Sequence, residues 1–112
     1  MVKLVSIFNL KQGVDLNEAY EVWCKKRTSW VKDKMLRKAK RYTINRLIHK
    51  YPPAGGATAQ FDIFGYEMIW FDDLESALKT AEQLQSARPD EFLANFAKTC
   101  KMVIVEGEDI KL

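Results

Sequence analysis

The sequence predicts an α+β domain with the element order βαββαβ, and three observations carry that prediction. Residues 42–48 and 61–71 are rich in β-branched and aromatic side chains, and the first of these stretches alternates with period two. Two other stretches, opening at Asp15 and at Asp72-Asp73, place apolar residues at helical spacing. Short apolar runs open and close the chain, at 2–8 and 102–105. With 112 residues, 47% of them hydrophobic, and no linker-like stretch, one core spanning residues 1–112 is expected.

Val2 to Phe8 is the first expected strand. The Gln12-Gly13 turn leads to Asp15, an N-cap with Glu18 three residues on, the spacing of a capping box. The helix that follows carries Leu16, Ala19, Tyr20, Trp23, Trp30 and Val31 as one stripe and runs toward Met35 and Leu36. From Tyr42 the period becomes two: Tyr42, Ile44, Arg46 and Ile48 alternate with Thr43, Asn45, Leu47 and His49. Pro52, Pro53, Gly55 and Gly56 form a loop, so the run Phe61 to Phe71 is the hairpin partner. The second helix puts Leu74, Ala77, Leu78, Ala81 and Leu84 on one face, with acids near its positive end. Pro89 restarts a short helical piece from Asp90 to Ala97, and Met102 to Val105 is the fourth strand. The order is that of the ferredoxin-like split unit, with a four-stranded antiparallel sheet.

Strand three bears on assembly. Phe64, Tyr66, Met68 and Trp70 alternate with Ile63, Ile69 and Phe71, so it is apolar on both faces. Two helices cover only one face of such a sheet. A second copy packed sheet to sheet, giving a homodimer, is the simplest way to hide the other.

The net charge of +3 conceals an asymmetry. Between Lys25 and Lys50 lie 11 of the 18 Lys and Arg residues, with Asp33 the only acid. From Asp62 to Asp109 the acids dominate, making each copy a charge dipole able to steer an anion or a partner, although solvated charge on element rims is the more frequent origin of such runs. Cys24 and Cys100 lack CxxC spacing and read as reduced, partly buried thiols. No apolar stretch is long enough to span a membrane, and Met1 to Phe8 reads as a strand rather than a leader, so the expected compartment is the cytoplasm. No phosphate loop, nucleophile elbow or metal-ligand cluster is present, and no cofactor is expected.

Three stretches together resemble a known family: Val2-Lys3-Leu4-Val5; Tyr20-Glu21-Val22-Trp23 continuing to Trp30-Val31 and Tyr42 to Arg46; and Gly65-Tyr66-Glu67-Met68-Ile69-Trp70-Phe71-Asp72, extended by Asp73-Leu74-Glu75-Ser76-Ala77. They are similar to the EthD-type branch of the dimeric α/β-barrel superfamily, over most of the chain. The resemblance implies a homodimer whose sheets form a shared barrel, with a pocket in each subunit between sheet and helices. It also implies a relation to cofactor-free monooxygenases, lactone isomerases and polyketide cyclases acting on hydrophobic ring compounds. Where that family carries His, a small residue and Pro after the helix tryptophan, this chain reads Arg27-Thr28-Ser29, which argues against His-dependent chemistry there.

The residues themselves offer three catalytic candidates. Helical spacing places Arg27 on the apolar stripe between Trp23 and Trp30, where it either binds an anionic or enolate oxygen or stacks structurally. Glu67 lies mid-strand on the face of Ile69 and Phe71; burial there suits a general base, while a structural ion pair is the commoner fate. His49, the single histidine, suits acid or base work near neutral pH or an exposed structural role. Trp23, Trp30, Tyr42, Asn45 and Trp70 are candidate walls of a site for a flat apolar molecule, although aromatics at core periodicity are more often core.

The readings that follow are a small cofactor-free enzyme, such as an isomerase, cyclase or monooxygenase; a non-catalytic ligand-binding or stress-associated dimer; and, as a minor alternative, an RRM-like RNA-binding domain. The last rests on the shared element order and on echoes at Ile7-Phe8-Asn9-Leu10 and Phe64-Gly65-Tyr66. Against it stands Glu67, an acid where that motif carries Val.

Overall fold

The computed structural model describes residues 1–35, 38–51 and 63–112. The chain runs β1 (Val2–Leu10), α1 (Leu16–Val22), a π-helical turn (Trp23–Arg27), α2 (Thr28–Lys34), β2 (Ala39–Arg46), β3 (Gly65–Phe71), α3 (Leu74–Ser86), α4 (Glu91–Asn95) and β4 (Ala97–Glu106). The strands form one antiparallel sheet in the order β2-β3-β1-β4, the βαββαβ arrangement expected from the sequence. The expected proline- and glycine-bearing loop, together with Phe61 and Leu36, falls outside the described residues.

Local chemistry explains the element ends. Gly13 turns the chain with φ +82°, a conformation that costs glycine little. Asp15 then caps α1, its Oδ1 accepting the Glu18 amide at 2.9 Å. Asp73 caps α3 in the same way through the Ser76 amide, and Asp90 caps α4 through the Phe92 amide. Met35 turns extended and ends α2.

Three elements differ from expectation. The first helix is not uniform, because the Thr28 amide bonds the Trp23 carbonyl, five residues back, inserting the π turn. In α3 the buried stripe is Ser76, Ala77, Thr80 and Leu84, whereas Leu74 and Leu78 are exposed. The helix is rotated from the purely apolar face so that small residues meet the sheet. β4 extends back to Ala97, well before its apolar run, because pairing with β1 begins at Leu10.

The covered face of the sheet holds two apolar clusters. Leu4, Val31, Ile69, Phe71, Ala77 and Leu84 pack at one end. Phe8, Ala19, Trp23, Phe92, Phe96 and Ala97 pack at the other. The opposite face carries Val5, Ile7, Tyr66, Met68, Trp70, Val103 and Val105, the alternate members of the same strands.

Candidate functional site

Between the two clusters lies a row of paired positions, Ile44, Glu67, Ser6 and Met102, running across all four strands. Alternation turns Glu67 toward the helices, where it is 2% exposed. The π turn answers it. Trp23 and Arg27, four apart and so on one helical face, flank that turn on the inner side, and both are buried.

Glu67 is saturated. Its Oε1 accepts Arg27 Nε at 3.1 Å and Arg27 Nη2 at 3.0 Å. Its Oε2 accepts the Trp23 indole N–H at 3.1 Å and the Tyr42 hydroxyl. Four donors on one carboxylate use about all the lone-pair directions such a group offers. The remaining edge of Arg27 donates from Nη1 to Asp90 Oδ1 at 2.7 Å. Arg27, 1% exposed, also lies 5.1 Å from the Trp30 ring centre and 5.3 Å from that of Phe8.

The electrostatics follow from this packing. Burial opposes the charge on Arg27, yet Glu67 and Asp90 outweigh it, so the guanidinium holds its proton more tightly than usual. Burial, then the adjacent Glu67 carboxylate, push the Tyr42 hydroxyl above its ordinary range and keep it a donor. The expected odd charge on the apolar stripe is thus one member of a buried five-residue network tying the π turn to β2, β3 and the start of α4.

The structure brings together Arg27, Glu67, Trp23, Trp30 and Tyr42 and separates the other candidates from them. Grouping Tyr42 and Trp23 with Asn45 and Trp70 around one ligand does not hold. Asn45 lies an odd number of residues from Tyr42, and Trp70 an odd number from Glu67, so both belong to the open face. There Asn45 Nδ2 donates to Thr43 Oγ1 at 3.2 Å, and Trp70 lies between the cations of Lys3 and Arg41. Leu16 is exposed rather than part of the stripe. The RRM-like echoes also part company: Phe8 is buried against Trp23 and Phe92, Phe64 packs beside Trp23, and Tyr66 alone of these aromatics is on the open face.

Around Trp23, between sheet and helices where the family resemblance implies a pocket, the described residues pack closely. Trp23 lies against Gly65 so closely that a Cβ there would come within 2.7 Å of the indole and 2.5 Å of the Asn45 carbonyl oxygen. A depression of about 860 Å³ lies instead at the end of the sheet. Leu10, Leu16, Phe64, Arg46, His49 and Lys98 are among the residues lining it. His49 is therefore placed at a concave surface, edge-on to Tyr51 and away from Glu67. Sequence reasoning did not name Leu10, Arg46, Phe64 or Lys98 among the candidate catalytic or ligand-binding residues. Their convergence depends on Phe64 lying beside the end of β1, where its amide bonds the Phe8 carbonyl at 2.9 Å.

Cys24 and Cys100 are unpaired and half-buried. Among the described residues no helix is long and apolar enough to cross a membrane, and no group of three or more His, Cys, Asp or Glu is placed to hold a metal ion.

No protein-family model and no curated protein matches the chain. Solved structures do. An ethyl tert-butyl ether degradation (EthD) family protein from Bacillus halodurans superposes with TM-score 0.62 at 16% identity, covering 96% of this chain and 99% of its own. An EthD-like protein from Ralstonia eutropha gives 0.61 at 17% identity, over 94% and 89%. A dimeric protein of unknown function and ferredoxin-like fold from Bacteroides fragilis gives 0.54 at 14% identity, over 95% of each. At these identities the likeness is one of architecture: the chain has the ferredoxin-like α+β fold that solved EthD-family proteins also adopt.

Proposed function

We propose that this protein is a homodimeric small-molecule-binding protein whose ligand occupies the depression at the end of the sheet. The observation that carries the reading is that depression itself, about 860 Å³ in volume, where apolar Leu10, Leu16 and Phe64 alternate with polar Asn9, Asn17 and Arg46. Its volume is that of a small-ligand site. The network around Glu67 is assigned to holding the helices on the sheet, since a carboxylate with four donors has no idle lone pair with which to take a proton. The apolar open face supports pairing of two copies sheet to sheet, as does the dimeric state of the Bacteroides fragilis protein.

Native mass spectrometry of the purified protein, followed by titration with the neutral fluorophore N-phenyl-1-naphthylamine, tests both parts. A dimer that binds the fluorophore, with binding abolished by Leu16→Asp at an exposed lining position, is the expected result. A monomer overturns the assembly, and binding unaffected by Leu16→Asp overturns the site.

A second reading makes the same site catalytic, an isomerase, cyclase or monooxygenase acting on a ring compound. The placement of His49 in the lining favours it, because an imidazole can both take and give a proton. Turnover of hydrophobic lactones or enols that vanishes in His49→Ala, with fluorophore binding retained, would establish it.

A further inference from the structure

The charge around the depression is one-sided. Arg46 and Lys98 line it, and none of the described lining residues is an acid. Some surface cations of this chain are paired: Lys25 with Glu21 at 2.6 Å, Lys26 with Glu91 at 2.8 Å and Lys79 with Glu75 at 3.0 Å. Among the described residues neither Arg46 nor Lys98 has a carboxylate within 4.0 Å.

Arg46 is also positioned. Its guanidinium carbon stands 4.1 Å from the centre of the Tyr20 ring, so the ring face holds the cation and no carboxylate consumes its donors. A guanidinium held by a ring face keeps its in-plane N–H fork available, and that fork matches the two oxygens of a carboxylate or sulfonate. Leu10, Leu16 and Phe64 offer apolar surface within the same depression.

We infer that the site selects amphiphilic anions, molecules with an apolar ring or chain and one carboxylate- or sulfonate-type head group held by Arg46 and Lys98. The inference rests on the binding site proposed above and adds the chemical class of its ligand. Head-group recognition at an open surface is sensitive to salt, because screening acts on exposed charges within about 8–10 Å at physiological ionic strength.

Two probes of similar apolar bulk separate this inference from the reading beneath it. 8-Anilinonaphthalene-1-sulfonate carries a sulfonate, and N-phenyl-1-naphthylamine does not. The wild-type protein and an Arg46→Ala/Lys98→Ala variant are titrated with each at low and at high salt, with circular dichroism checking that the variant is folded. The expected result is tighter binding of the sulfonate, weakened about tenfold or more in the double variant and by added salt, with the neutral probe weakened far less by either. Equal affinities for the two probes, unaffected by the double substitution, overturn the anion preference while leaving the binding site standing. Failure of both probes to bind overturns the site as well.

Discussion

Trp23 donates its indole N–H to Glu67 Oε2 at 3.1 Å from 44 residues away in sequence, and Arg27, on the same helical turn, takes the other carboxylate oxygen. The carboxylate is the hub, so deleting it strands every donor around it. Glu67→Leu should cost about 3–5 kcal/mol, the range for a buried charge deprived of its partner. Urea unfolding followed by Trp fluorescence measures this, and a cost below about 1 kcal/mol would show that the network is not what holds the π turn on the sheet.

Asp90 has two duties that substitution can separate. Its Oδ1 takes Arg27 Nη1 at 2.7 Å, and its Oδ2 takes the Phe92 amide at 3.2 Å as the cap of α4. Asp90→Ser keeps a capping oxygen and loses the charge, whereas Asp90→Ala loses both. Alanine should therefore be less stable than serine by about 1 kcal/mol, the usual worth of a cap, with both below wild type. Equal stability of the two variants would mean that the ion pair alone matters.

Gly65 is required by crowding, not by backbone torsion. A methyl group there would lie 2.5 Å from the Asn45 carbonyl oxygen and 2.7 Å from Trp23, and the first is rigid backbone of a paired strand. Gly65→Ala should destabilise by about 1–3 kcal/mol or more through overpacking, seen as a lowered Tm. An unchanged Tm would mean that the indole can shift without loss.

The open sheet face makes a prediction about assembly. Val103 is 46% exposed in the single chain and stands beside Val5. Val103→Glu should leave the isolated fold intact yet place two carboxylates in a symmetric apolar interface, lowering dimer stability by several kcal/mol. Analytical ultracentrifugation should find the variant monomeric at concentrations where wild type is dimeric; a dimeric variant would move the interface off this face.

Cys100 gives a pH test of the core beneath the network. Burial pushes its thiol up to about 11 from 9.0, so near pH 8 on the order of one thiol in a thousand is ionised. In a Cys24→Ser background, alkylation by iodoacetamide should be slow at pH 8 and rise about tenfold per pH unit until near 11. The sign for stability is the same: the buried neutral thiol contributes below pH 9, and that contribution is lost as pH rises toward 11, because the unfolded thiol ionises first. Fast alkylation at pH 8 would show that β4 opens readily from β1.

The element order was legible because period two in β2 and β3 and the acids before each helix are local signals. The buried stripe of α3 was not, since the helix turns Ser76 and Thr80 inward in place of Leu74 and Leu78, and small residues score poorly as core on hydropathy alone. At the network, helical spacing put Arg27 between aromatics and strand alternation put Glu67 on the side of Ile69, but nothing local says that the two meet. That meeting depends on register, and Asp90 enters it from 63 residues further along the chain than Arg27. The separation of Tyr42 from Asn45 was within reach of the sequence, because an odd spacing on a strand always divides faces. The depression at the end of the sheet was beyond reach, being built from the ends of four segments whose closeness only the folded chain defines.

The π turn makes the network a matter of counting as much as of chemistry. The Thr28 amide reaches the Trp23 carbonyl five residues back, one residue more than an α-helical bond spans, between the two side chains that bind Glu67 and ahead of Val31 in the apolar cluster beyond. Deleting one residue from 24–26, none of which is recorded bonding Glu67, would bring Trp23 and Arg27 from a spacing of four to a spacing of three and replace the π turn by α-helical bonds. All five side chains of the network would survive such a deletion, while the placement of two of them relative to Glu67 would change. An insertion or deletion between Trp23 and Arg27 therefore alters the geometry of the network without altering any residue in it.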